Sequence, residues 1–373
     1  MKSETKIRIG RNSLLAALLK VARVASSRRP LILFEVKDGT LTVKASNYET
    51  QIEATVNING EPSGTAFCMD GSITGILKLL PEQPLAITVT EEKEGKTARI
   101  SVGIAHSSGT AEFPAFAAGE YTEIKCGEGE TFSIPAEKLK RGLEKTAKFA
   151  DKNELKPALM SVHLDITRDG ITFAGTDQQT LSVFKDRSLT GIDARSLMIG
   201  ADAVNSITAL LDKPGSGMAV ISSGEKVITV AFGDTVISTR AIEGRYPNYS
   251  AVIPANNPVR CTVDSGCLSA AVNRISIASD PALGGIGIAV SDGEVRLSGG
   301  CPGLGTQAVE EMPARCEGGI EVKTCVKYLK AAMGVITGNA VLSFSDPVRP
   351  ILISPEINED DTELLVLVVT AVQ

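Results

Sequence analysis

One pattern occurs three times along the chain, and no other feature constrains the fold as much. "DGTLTVKASNYETQIEATV" starts at Asp38, "DGITFAGTDQQTLSVFKD" at Asp169 and "DGEVRLSGGCPGLGTQAVE" at Asp292. Each copy opens with Asp-Gly, a pair that favours a tight hairpin turn because both residues tolerate positive φ. Each continues as a short alternating strand, a break of small and polar residues, and a second strand. The copies lie about 125 residues apart, a common domain size.

The flanks repeat as well. Upstream of each Asp-Gly lies a helical pattern: "SLLAALLKVARVA" from Ser13, "AEKLKRGLEKTAKFA" from Ala136 and "SGCLSAAVNRISIA" from Ser265. Downstream lies another: "DGSITGILKLLP" from Asp70, "GADAVNSITALLD" from Gly200 and "TCVKYLKAAMGVI" from Thr324. Two alternating strands follow each second helix, such as "MAVISS" and "VITVAF" in the middle third. The expected fold class is therefore α+β: three similar domains, each with two helices packed on antiparallel sheets. Gly-, Pro- and Asn-rich breaks near 125–131 and 252–260 set the expected domains at 1–125, 126–253 and 254–373. Within the middle copy, "GTDQQT" (175–180) reads as a corner where the strand bends toward the next sheet, with Asp and Thr holding nearby backbone.

The chain has 373 residues, which suits two or three domains. Trp is absent and aromatic residues make up 4%, so the cores must rest on Leu, Ile, Val and Ala. No apolar run approaches the roughly 20 residues that cross a bilayer, and "MKSETKIRIG" lacks the apolar stretch of a secretory signal. A cytoplasmic protein with no membrane partner is expected. Seven cysteines without a CxxC pair, and only His106 and His163 beside them, argue for free thiols and against a metal site.

Catalytic motifs are missing too. There is no P-loop lysine motif, no GxGxxG after a strand and no nucleophile elbow. His163 sits in the alternating "LMSVHLDI" and reads as a sheet residue; His106 reads as a loop or strand-edge residue. "PALGGIGIAV" (281–290) reads as a strand start. A non-catalytic protein without cofactors is the expectation.

Charge is distributed unevenly in a chain of net charge −6. On the helix from 137, Leu139, Leu143, Ala147 and Ala150 share one face, and Lys138, Arg141, Lys145 and Lys148 share the opposite one. The first helix repeats this more weakly with Lys20 and Arg23 outward, followed by Arg28 and Arg29. In the last third, Lys323, Lys327 and Lys330 recur at helical spacing, and Arg274 is the one cation of the other helix. Acidic segments lie elsewhere, at 91–95 and 356–363. A basic surface on an acidic protein is an electrostatic footprint for nucleic acid. With no aromatic stacking platform and no base-reading motif, contacts would go to phosphate and ignore sequence.

With three repeats, basic helices and the segment "AIEGRYPNYSAVIP" (241–254), the chain resembles the bacterial sliding clamp family, the beta subunit of DNA polymerase III. "SDPVRPILI" (345–353) resembles the family's late strand pair, and "AEFPAF" (111–116) its first-domain ending. The resemblance covers essentially the whole chain. It implies a DNA clamp fold and a head-to-tail homodimer closed into a ring around double-stranded DNA. The DNA-facing cations are then Lys20, Arg23, Arg28, Lys138, Arg141, Lys145, Lys148, Arg274, Lys327 and Lys330.

The resemblance also implies a hydrophobic pocket that takes a peptide of DNA polymerase, clamp loader subunits and other partners. Where the family reads Thr-Asp-Gly-His-Arg-Leu, this chain has Thr176, Asp177, Gln178, Gln179, Thr180 and Leu181. Leu159, Pro247, Val252 and Val348 match further pocket positions. Val369, Thr370 and Ala371 stand near the end, where the family usually reads Met-Pro-Met-Arg-Leu. By position, 98–108 and 277–290 supply the edge strands of the dimer. The alternative is a repeat-built protein scaffold that does not encircle DNA, which has no reason to line a surface with lysine and arginine.

Overall fold

The three repeats appear as one order of elements in the computed structural model, which describes residues 2–25, 31–60, 64–94, 97–125, 127, 129–211, 217–280, 284–359 and 361–370. The first third runs β1 (Lys2–Gly10), α1 (Arg11–Val21), β2 (Ile32–Lys37), β3 (Thr40–Ser46), β4 (Thr50–Asn57), β5 (Asn59–Gly60), β6 (Thr65–Met69), α2 (Ser72–Leu79), β7 (Pro84–Glu94), β8 (Thr97–His106) and β9 (Gly109–Ala117). The second runs β10 (Glu130–Pro135), α3 (Ala136–Thr146), β11 (Ser161–Thr167), β12 (Gly170–Thr176), β13 (Thr180–Asp186), β14 (Arg195–Gly200), α4 (Ala201–Leu211), β15 (Met218–Ser223), β16 (Val227–Phe232) and β17 (Thr235–Arg240). The third runs β18 (Val259–Asp264), α5 (Ser265–Ala278), β19 (Gly285–Ser291), β20 (Glu294–Cys301), β21 (Thr306–Pro313), β22 (Arg315–Glu317), β23 (Ile320–Cys325), α6 (Val326–Met333), β24 (Asn339–Phe344), β25 (Ile351–Pro355) and β26 (Thr362–Val368). Apart from the short β5 and β22, each third is a strand, a helix, four strands, a helix and three strands. The last strand of each triplet (β9, β17, β26) has no counterpart in the sequence reading.

Two compact units hold these elements: Met1–Glu137 with Asn205–Ala241, and Lys138–Val204 with Ile242–Gln373. In the first, one antiparallel sheet runs β10-β15-β16-β17-β4-β3-β2-β6-β9-β8-β7-β1-β5. The pairing of β17 with β4, with Ile237 opposite Ile52, joins strands of different repeats. In the second, a sheet runs β14-β11-β12-β13-β26-β25-β24-β18-β22, and a smaller one runs β21-β20-β19-β23. Here β13 pairs with β26 across repeats, with Leu181 opposite Leu367. A strand of one repeat thus covers what would be an open edge of another, and that edge carries unpaired backbone groups no longer.

The local reasons are ordinary. Alternation in β24 buries Ala340, Leu342 and Phe344 and leaves the intervening residues less covered. The first Asp-Gly turn has positive φ at both Asp38 and Gly39, and Lys37 pairs with Thr40. In α1, Leu14, Leu18 and Val21 are fully buried, and the helix packs on β3 and β4. In α3, Leu139 and Leu143 are fully buried, each worth about 2 kcal/mol. Gly142 lets that helix sit close to β12: a Cβ there would lie 2.5 Å from the Phe173 ring. At α5, the Asp264 carboxylate accepts from the Cys267 backbone N–H at 2.7 Å, an N-cap worth about 1 kcal/mol.

Two expectations are corrected. The break at 177–179 is not a corner onto another sheet. Thr176 pairs directly with Leu181, so the chain reverses in a hairpin within one sheet. The expected dimer strands are also misplaced. Segment 98–108 is mostly β8, which lies between β7 and β9, and the strand part of 277–290 is β19, between β20 and β23. Both have neighbours on each side and no spare ladder, whereas β21 and β23 end the small sheet.

Candidate partner groove and cationic helix faces

The hairpin tip after β12 is built by one side chain. The Asp177 carboxylate accepts from the backbone N–H groups of Gln179 (3.0 Å) and Thr180 (2.6 Å) and from the Thr180 hydroxyl (2.8 Å). Thr176 donates its hydroxyl to the Thr180 carbonyl at 2.6 Å and accepts from the Gln178 N–H at 3.1 Å. This forces Gln178 to φ +70°, a left-handed conformation that glycine adopts without steric cost. The first repeat has the same device. Asn47 accepts from the N–H groups of Glu49 and Thr50, and Tyr48 takes φ +74°. Gln178 is further held by Lys156, whose ammonium donates to its side-chain oxygen.

Around this tip the second unit gathers several of the pocket residues expected from sequence. Leu181 is buried and packs with Leu352 and Leu367, flanked by Tyr249 and Ile253. The Val369 N–H donates to the Gln179 carbonyl at 3.0 Å, and the Thr324 hydroxyl donates to the Val369 carbonyl at 2.7 Å. Leu159, in the short turn Pro157–Met160, is buried, and its carbonyl accepts from the Asp151 N–H at 2.8 Å. Thr370 has a buried hydroxyl with no partner among the described residues. Ala371 lies outside the described residues. Pro247 is exposed. Val252 and Val348 are 56% and 65% exposed, large apolar surfaces for a free chain. Val348 sits in a turn fixed by Asp346, which accepts from its N–H at 2.9 Å. It lies three residues before Ile351, which pairs with Val368.

A stack of rings missed by the sequence reading holds the 241–254 segment in place. His163 lies face to face with Tyr246 (4.6 Å, 10°) and edge-on to Tyr249 (6.2 Å). The Tyr246 hydroxyl donates to the Ala174 carbonyl at 3.3 Å. Burial pushes the His163 pKa down, against the opposing pull of Asp165, so the ring is neutral near pH 7 and stacks as an aromatic. The signal for it was an aromatic pair three residues apart after "EGR", opposite a sheet histidine.

The cations sort differently from the helical-wheel reading. Lys20 is the clear correction: only 7% exposed, it pairs with the Asp234 carboxylate and donates to the Thr235 hydroxyl at 3.0 Å. A wheel places it outward, but β17 and the turn before it cover that face. Burial raises the Asp234 pKa, yet the bond and charge of Lys20, with Thr235, outweigh it and hold the carboxyl below its ordinary 3.8. On α3, Arg141 pairs with Glu359 at 2.7 Å. Lys138 donates to the Ser188 hydroxyl, and Lys145 to the Val335 carbonyl. Burial lowers the Lys145 pKa, helped by Arg141 and Lys148 and opposed by Glu359 and Glu144. Ala147 has left the α-helix for a 3-10 turn, Ala147–Phe149, that places Lys148 on the surface.

Arg274 makes a two-pronged bond to Glu310, both contacts at 2.7 Å. Lys330 donates to the Ser276 hydroxyl at 2.7 Å. Lys327 lies over the Tyr328 ring, 4.7 Å from its centre, and is near enough to Asp177 to feel its charge. Arg23 is exposed, and Arg28 lies outside the described residues. Among the described residues no cluster of three or more His, Cys, Asp or Glu side chains is disposed to hold a metal ion, and no helix is long and apolar enough to cross a membrane.

Three family models match in order along the chain: the DNA polymerase III beta subunit N-terminal domain over 5–121, its central domain over 133–248 and its C-terminal domain over 250–368. The beta sliding clamp of Synechococcus elongatus is 27% identical over 361 residues, covering 92% of this chain and 94% of that protein. That of Pseudomonas putida is 24% identical, covering 96% and 98%. The chain superposes on the crystal structure of the Pseudomonas aeruginosa sliding clamp bound to griselimycin with a TM-score of 0.90 at 20% identity, over 100% of both chains. The Thermotoga maritima beta subunit gives 0.86 at 20% identity, again over 100% of both. An ordered match to all three domains leaves one conclusion: the chain belongs to the DNA polymerase III beta subunit family.

Proposed function

We infer that this protein is a DNA sliding clamp, a non-catalytic processivity factor that encircles duplex DNA and tethers the replicative polymerase. The ordered match to all three beta-subunit domains carries the reading. The scaffold alternative is not favoured, because the relatives that match along nearly the full chain are sliding clamps. Three repeats bounded at 1–125, 126–253 and 254–373 form one protomer, and two protomers close head to tail in the cytoplasm.

Enclosure, rather than affinity, keeps such a ring on DNA. Lysine and arginine near phosphate add an attraction that is blind to sequence and weakens with salt. Arg23, Lys138, Arg141, Lys145, Lys148, Arg274 and Lys330 are the proposed phosphate-facing cations, with Arg28 and Lys327 beside them. Pairing of Arg141 with Glu359 and of Arg274 with Glu310 weakens their pull, which suits a ring that must move. The proposed peptide groove comprises Leu159, Thr176, Gln178, Gln179, Leu181, Pro247, Val252, Val348, Val369, Thr370 and Ala371. Exposed Val252 and Val348 offer the apolar contact, and polymerase and clamp loader subunits are the proposed occupants.

Retention on nicked circular DNA against the same DNA linearised tests the reading. After loading, a clamp stays on the circle and runs off the linear ends. Equal retention on both forms refutes enclosure.

A further inference from the structure

Away from both proposed surfaces, β18 and β22 place two cysteines directly opposite each other: Cys261 pairs with Cys316 in the antiparallel ladder. Opposed residues of such a ladder have Cα atoms about 4.5 or 5.5 Å apart. Either spacing falls within the roughly 4.4–6.8 Å that a disulfide bridges. The Cys316 thiol donates to the Glu294 carbonyl at 3.7 Å. Cys261 is fully buried. Cys316 is half-buried and lines a surface cavity of about 650 Å³, with Arg260, Thr262, Arg315, Glu317 and Glu356 around it.

We propose that Cys261 and Cys316 are a modification site, a reversible cross-strand disulfide formed by exchange with a low-molecular-weight disulfide. Cys316 is the entry thiol because it is the less buried of the two. Its thiolate attacks one sulfur of the small disulfide, expelling a small thiolate and leaving a mixed disulfide. Cys261 then gives its proton to solvent and attacks the Cys316 sulfur, expelling the second small thiolate. Two protein thiols and one small disulfide become one protein disulfide and two small thiols. Burial, with Cys316 as neighbour, raises the Cys261 pKa, so this thiol keeps its proton until the mixed disulfide lies against it.

The bond has a structural consequence. β22 belongs to the edge of the nine-stranded sheet, but the chain on either side of it, β21 and β23, belongs to the four-stranded sheet. A bridge at this pair staples the two sheets of the last third together and closes the 261–316 loop.

Exposure of the full-length protein to oxidised glutathione, followed by acid quench, alkylation and peptide mapping, tests this. The expected product is a Cys261–Cys316 linked peptide, reversed by dithiothreitol, with an apparent melting temperature raised by about 5 °C. Cys261→Ser should trap glutathione on Cys316, and Cys316→Ser should leave Cys261 unmodified. Wild-type protein that holds glutathione on Cys316 while Cys261 stays a free thiol overturns the proposal, whether or not the variants fold. A linkage through Cys267 or Cys325 instead does so equally.

Discussion

The backbone N–H of Val369 donates to the carbonyl of Gln179 at 3.0 Å, extending the β13–β26 pairing one residue past the strand ends. Val369→Pro removes that donor and no buried side-chain partner. The expected cost to folding is about 1 kcal/mol. Binding of a labelled polymerase-derived peptide, read by fluorescence anisotropy, should weaken about tenfold because the groove wall loses its anchor. Unchanged anisotropy would place the peptide elsewhere.

Gln178 holds a left-handed backbone at φ +70°. Gln178→Gly relieves that conformation, and the urea midpoint should rise by an amount equal to about 0.5–1 kcal/mol. Loss of the exposed Lys156 contact subtracts little. A lower midpoint would mean that the side chain matters more than the backbone.

Lys20 and Asp234 form a pair within one unit. Lys20→Ala should destabilise by about 1–2 kcal/mol and leave retention on circular DNA unchanged. The Asp234 pKa is depressed, so its contribution is present above the ordinary carboxylate value of 3.8 and lost as pH falls through the lower folded value. Acid-melting curves of wild type and Lys20→Ala should therefore converge below about pH 4. Curves that stay parallel to pH 2 contradict this.

Lys148 is exposed on the turn that follows α3, whereas Arg141 beside it is paired with Glu359. Lys148→Glu should lower retention on nicked circles several-fold and reduce the salt slope by about 1 per protomer, with unchanged melting. Arg141→Gln should do less to retention, since Glu359 already offsets its charge. The reverse ranking would show that pairing in the free protein does not govern phosphate attraction.

Gly142 faces the Phe173 ring, and an added methyl would lie 2.5 Å from it. Gly142→Ala therefore forces α3 and β12 apart at a cost of about 1–3 kcal/mol, despite the better helix propensity of alanine. Chemical denaturation measures it. A stabilised variant would mean that α3 shifts freely, which its buried Leu139 and Leu143 oppose.

Much of the fold was legible because its signals are local. Asp-Gly turns, alternating strands and apolar helix stripes each act over a few residues, and threefold repetition made weak signals add. The family and most of the order of elements follow from the sequence alone; the hairpin at 176–181 and the last strand of each triplet emerge only with the strand pairing. Which cation is free does not, because it depends on what lies opposite. Lys20 and Lys148 look alike on a helical wheel, yet Asp234, distant in sequence, closes over the first and nothing described closes over the second. In the same way, only tertiary pairing set Leu181 against Leu367, Cys261 against Cys316 and His163 against Tyr246. Sequence spacing specifies the period of an element; the partner across a sheet is chosen by packing between segments far apart along the chain.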